Sequence, residues 1–156
     1  MSLLTINVDD FLYGVLTEYL VNCQARLYNS QGQSLQPTVT LAELDPLEIP
    51  LVNGYERKSV AFGAPTVVVE AGRRYVQVQG TQEIRWTATG GRLGNTNITH
   101  IALITRINNT PRVSHLVAVN PQETSPGSGI YTAAPLTVAD GNSLVFTPRL
   151  RIGDLT

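Results

Sequence analysis

Charge is scarce in this chain. Only 15% of its 156 residues are charged, where a typical globular domain carries about 25%. Arg57-Lys58 and Arg73-Arg74 are the adjacent basic pairs, no longer basic run occurs, and Lys58 is the one lysine. Nucleic-acid binding calls for a concentrated basic patch, so this composition argues against it. Cysteine is nearly absent: Cys23 stands alone, which excludes a disulfide framework and a Cys-based metal site. It falls in an apolar pattern, so a buried, inert thiol is expected. No apolar run reaches 18 residues, so no membrane span is expected. The N-terminus lacks the basic, apolar and small-residue order of a secretion signal. Aromatic residues make up 6%, few for stacking platforms.

What is present covers this low-charge surface with Thr, Asn, Gln, Ser and Gly. Neutral polar groups lose less on burial than ions do, so such a surface docks readily on protein. The Arg-over-Lys bias fits too, because guanidinium is weakly hydrated and pairs bidentately. An ordinary polar sandwich protein would show the same composition.

The pattern along the chain has two parts. Residues Met1 to Ile6 read as an apolar arm. Asn7 is a candidate N-cap, and Asp9 and Asp10 complement the positive end of a helix. Phe11, Leu12, Val15, Leu16, Tyr19, Leu20 and Cys23 follow at helical spacing, which predicts an amphipathic helix over about residues 8–22. Its apolar stripe can pack on the chain's own sheet or on a partner. From residue 25 the period changes to two.

Strands are expected at Ala25–Tyr28, Lys58–Phe62, Thr66–Glu70, Arg74–Val78, Glu83–Thr89, Ile98–Ile107, Arg112–Val119, Tyr131–Val138, Ser143–Thr147 and Leu150–Ile152. Pro37, Pro46 and Pro50 mark residues 35–50 as edge strand and loop. Asn108-Asn109-Thr110-Pro111 predicts a hairpin turn, Asp140-Gly141-Asn142 a tight turn, and Pro121–Gly129 a loop. Short strands at this spacing predict a mainly β fold, an antiparallel β-sandwich or jelly roll with one N-terminal α-helix. Residues 1–24 are then an arm and helix, and residues 25–156 a β-domain joined to them as one unit.

Candidate chemistry is thin. His100 and His115 fall in the expected hairpin and could approach across it, but no acidic residue or cysteine lies in either strand to complete a metal site. Glu43, Asp45 and Glu48 cluster in a Pro-containing loop, yet without the spacing of a calcium loop. Thr89-Gly90-Gly91-Arg92-Leu93-Gly94 lacks the Lys-Ser/Thr ending of a phosphate loop, so a strand connector is expected. Asn97-Ile98-Thr99 and Asn108-Asn109-Thr110 match the glycosylation pattern, which matters only in a secreted protein. No nucleophile–base arrangement can be argued. The reading is therefore no enzyme, no cofactor and no metal.

Gly54-Tyr55-Glu56-Arg57, Ile84-x-Trp86, the strand Thr99–Ile104 and the closing segment Leu136–Pro148 together carry a resemblance. In this order they resemble small virion structural proteins of tailed bacteriophages, some being capsid cement or decoration proteins and others tail or tail-fibre proteins. The similarity runs from about Ala25 to the end. It implies a protein made in the host cytoplasm and located on the virion, which binds the major capsid protein or other virion proteins, as a homo-oligomer, without nucleic acid or membrane. Candidate interface residues are Leu3, Leu4, Ile6, Phe11 and Trp86; Trp86, on the apolar face of its strand, is expected first as a core residue and as an interface anchor only if exposed. A tail-associated adaptor and a carbohydrate-binding β-sandwich are the competing expectations.

Overall fold

The computed structural model describes residue 20, residues 22–36 and residues 38–152. Within them the chain is mainly β, antiparallel throughout. In chain order the strands are β1 (Cys23–Tyr28), β2 (Lys58–Val60), β3 (Thr66–Glu70), β4 (Arg73–Gln79), β5 (Ile84–Thr87), β6 (His100–Ile107), β7 (Thr110–Ala118), β8 (Pro121–Glu123), β9 (Tyr131–Ala133), β10 (Ser143–Phe146) and β11 (Arg149–Ile152). They form a four-stranded sheet in the order β2-β1-β6-β7, a three-stranded sheet β11-β4-β3, and the pairs β10-β5 and β8-β9. The sheets remain separate, and none closes on itself. The helix expected over residues 8–22 lies outside the described residues except at Leu20 and Asn22, which are in turn conformation.

Alternation along β1 sorts its side chains onto two faces. Cys23, Ala25 and Leu27 join Ile101 and Leu103 of β6 in the main core. There they meet Val76 and Val78 of β4, Ile84 and Trp86 of β5, and Leu150 of β11. The opposite face carries Tyr28, Ala102 and Ile104, covered by Leu44 and Leu47. Those two leucines come from residues expected as edge strand and loop. They form instead a short helix, α1 (Leu41–Leu44), followed by a 3-10 turn, Asp45–Leu47. Its start is a capping box: the Thr40 hydroxyl accepts from the Glu43 amide, and the Glu43 carboxylate reaches back to the Thr40 amide. This satisfies two of the amide groups left open at a helix start.

The longest hairpin, β6–β7, forms where the sequence places it. Its turn is tighter than expected. Ile107 pairs directly with Thr110, and Asn108 and Asn109 both have positive φ, 48° and 62°. That is the two-residue turn whose twist matches the strands. The register is Leu103 to His115, with a shift between Leu103 and Ile104. The segment Pro121–Gly129, expected as loop, contributes β8. The expected strand Tyr131–Val138 stops at Ala133 and retains one isolated bridge, Leu136 to Ile98.

Candidate functional site

The best-connected polar cluster centres on Glu48. The bridge between Tyr28 and Glu48 sets its backbone beside β1, and the Ile49 amide donates to the Leu27 carbonyl at 3.1 Å. The Glu48 side chain is only 9% exposed. Arg57 grips it bidentately, Nε and Nη2 donating at 2.9 and 2.7 Å. The Tyr55 hydroxyl donates to the same carboxylate at 2.8 Å. Arg26 Nη1 stands 4.0 Å from Glu48 and 3.6 Å from Asp45. Burial works to raise the Glu48 carboxyl, but the hydrogen bonds from Arg57 and Tyr55 outweigh it and hold it below the usual range. Its oxygens are already spent on these partners, so this carboxylate is an anchor.

The Gly-Tyr-x-Arg motif thereby acquires a structural account. Gly54 has φ +89°, and a Cβ there would lie 2.0 Å from the Thr87 carbonyl oxygen. Only glycine allows this approach. It turns Tyr55 inward toward β1 and lets Arg57 reach Glu48.

The acidic group Glu43, Asp45 and Glu48 does not converge. Glu43 caps α1, Asp45 faces Arg26, and Glu48 is held by Arg57. The two histidines are likewise apart. His100 pairs with Ala118, and His115 pairs with Leu103, three residues along and on the opposite face. Burial lowers the pKa of both. Among the described residues no group of three His, Cys, Asp or Glu is placed to hold a metal.

Trp86 is a core residue, 0% exposed, with its indole N–H donating to the Glu56 carbonyl at 2.8 Å. It offers no surface to a partner, so of its two expected places the structure shows the core and not the interface. Leu3, Leu4, Ile6 and Phe11 lie outside the described residues. The glycine-rich stretch is a connector: the Asp140 carboxylate accepts the Gly90 amide at 2.9 Å, and Leu93 fills the core. An open groove of about 1270 Å³ runs beside β2, lined among others by Leu20, Cys23, Lys58, Phe62, Ile84 and Arg85. Its charged Lys58 and Arg85 are paired with Glu56 and Glu83.

The surface that sequence reasoning missed is the β8–β9 arm. Every residue from Pro121 to Thr132 is exposed, yet the arm is internally braced. The Glu123 carboxylate accepts the Gly127 amide at 3.0 Å and the Gly129 amide at 3.1 Å. Both glycines have positive φ, 75° and 68°, which turns their N–H groups toward it. The Thr124 amide donates to the Ile130 carbonyl at 2.9 Å, and the Ala134 amide to the Asn120 carbonyl at 3.0 Å at the base. The arm holds out Ile130, 64% exposed, and Tyr131, 61% exposed. An adjacent apolar pair on an ordered support loses little further entropy on docking. The readable signals were Ile130-Tyr131 beside a Gly/Ser/Pro loop and the acidic Glu123 before it.

No protein-family model matches the chain, no curated protein matches it, and no solved structure matches it.

Proposed function

We propose that the chain is a non-catalytic virion structural protein, a capsid cement or decoration protein that docks on the assembled shell and bridges its subunits as a homo-oligomer. The observation that carries the docking part is the braced arm with Ile130 and Tyr131 held in solvent. Burying two such side chains is worth about 1.5–3 kcal/mol each, and repetition over symmetry-related sites adds avidity. The virion part rests on the resemblance carried by Gly54-Tyr55-Glu56-Arg57, Ile84-x-Trp86 and the closing segment. Two further features support the reading. The clustered acids and histidines serve capping, ion pairing and packing. The antiparallel sheets share one core and leave loops and arm free, which fits a sandwich or jelly-roll scaffold.

Purified chain mixed with assembled shells of the parent phage tests this. Binding at a fixed ratio per shell subunit, with slower disruption of the shells by heat, is the expected result. Chain that leaves shells unprotected, or that associates with isolated tails alone, would contradict it.

A further inference from the structure

Among the described residues the three-stranded sheet ends in an open edge. There β3 is its last strand and pairs with β4 alone, from Thr66 opposite Gln77 to Glu70 opposite Arg73. The connecting Ala71-Gly72 turn has two positive φ values, 50° and 77°, the geometry of a two-residue hairpin. Glu70 and Arg73 are then a hydrogen-bonded pair. By the alternation of an antiparallel ladder, Val67 and Val69 turn their backbone N–H and C=O groups outward. Among the described residues nothing pairs with that edge.

The side chains add a second observation. Val67 lies opposite Val76, a core residue, and Val69 is on the same face. The apolar face of the sheet therefore continues past the core, and Val67 and Val69 are 46% and 65% exposed. Soluble proteins commonly protect such edges with lysine, proline or a bulge. The run Thr66-Val67-Val68-Val69-Glu70 has none of these.

We propose that β3 pairs with β3 of a second copy, antiparallel about a two-fold axis through Val68, to form a six-stranded sheet. The sequence of the strand is self-complementary in this register. Val67 of each copy faces Val69 of the other twice, and Thr66 faces Glu70. The outward backbone groups of Val67 and Val69 meet their counterparts as hydrogen-bonded pairs. The two Glu70 carboxylates stand about 14 Å apart, four residues along a strand, beyond the screening length of roughly 8–10 Å in physiological salt. Each carboxylate also has Arg151 of its own chain as an ion-pair partner. Pro65 and the Ala71-Gly72 turn bound the strand, so only this register pairs all five residues. A two-fold contact of this kind is closed and stops at the dimer. One strand edge is small beside the roughly 1,600 Å² of a standard interface, so the association is concentration-dependent. The pairing specifies the oligomer that the docking proposal leaves open, and its test needs no shell.

Light scattering on the full chain over a concentration series up to about 1 mM reads the result. The expected mass rises to two chains, and Val69→Lys weakens the association about tenfold or more while circular dichroism stays unchanged, since Val69 is solvent-facing. Val68→Cys gives a complementary test. Residues 68 of the two copies form a non-hydrogen-bonded pair about 4.5 Å apart, within reach of a disulfide. Copper-catalysed air oxidation then links two chains through position 68, whereas a Thr81→Cys control stays unlinked. A single-chain mass at every concentration overturns the proposal. So does a two-chain mass that Val69→Lys leaves intact, or a failure of Val68→Cys to cross-link above the control.

Discussion

The Tyr55 hydroxyl sits between Leu27 and Glu48, accepting the Leu27 amide at 3.1 Å and donating to the Glu48 carboxylate at 2.8 Å. The β2 strand pairs with β1 only as far as Ala25. Beyond that point the phenol takes the Leu27 amide, while the Leu27 carbonyl accepts the Ile49 amide. The Tyr55 side chain thus adds to the backbone bonds that tie the loop of residues 48–57 to the central sheet. Replacing it by phenylalanine keeps the ring and removes both bonds. A buried amide left without a partner costs about 1–3 kcal/mol. Tyr55→Phe should lower the urea midpoint accordingly with an unchanged slope, and a midpoint within error of the parent would show that the link carries no weight.

Gly54 holds that geometry from the other side. In Gly54→Ala the positive φ costs about 1–2 kcal/mol, and the new methyl meets a backbone carbonyl that cannot rotate away. The expected loss exceeds that of Tyr55→Phe. Thermal unfolding of the two variants side by side gives the ranking, and the opposite order would contradict the close approach.

Acid should act in two stages. His100 and His115 have folded pKa values lowered by burial from 6.5. Unfolded histidine binds protons first, so their contribution falls away as pH drops below 6.5. Glu48 is depressed from 4.5. Its contribution is complete above 4.5 and is lost as pH falls below that value toward the folded pKa. Chemical denaturation at several pH values follows both stages. Glu48→Gln should be less stable at pH 7 and flatter below pH 4.5; an unchanged acid slope in that variant would count against the Glu48 anchor.

Cys23 is 1% exposed, and burial pushes its thiol up to about 11. The thiolate is the reactive form. A colorimetric disulfide reagent at pH 8 should label less than about a tenth of the native protein in the time that it labels denatured protein completely. Rapid native labelling would place the thiol at the surface.

The sequence made the long hairpin legible because Asn108-Asn109 specifies its turn locally. It also placed Cys23 in the core and spread strands along the chain by their period of two. It hid α1 because three prolines between residues 35 and 50 suggested loop, while the decisive signal was the pair Thr40 and Glu43, three residues apart. It left open an approach of the two histidines because strand spacing does not reveal register; the shift between Leu103 and Ile104 changes the face taken by the β7 residues beyond Val113, His115 among them. Trp86 was legible as core from its place on an apolar strand face with Ile84 and Ala88; the strands that bury it are distant in sequence and were not. The Arg57–Glu48 pair and the bracing of the arm depend on loop geometry, which no periodicity reports.

The proposed docking depends most directly on the arm's apolar pair. Ile130→Asp with Tyr131→Asp changes exposed side chains and should leave thermal stability within about 0.5 kcal/mol of the parent. Co-sedimentation of this double variant with assembled shells, beside the parent chain at equal concentration, is the decisive measurement. The account predicts at least about a tenfold loss of bound chain, because two buried apolar anchors are replaced by charges that resist desolvation. Equal binding by the two proteins would contradict it.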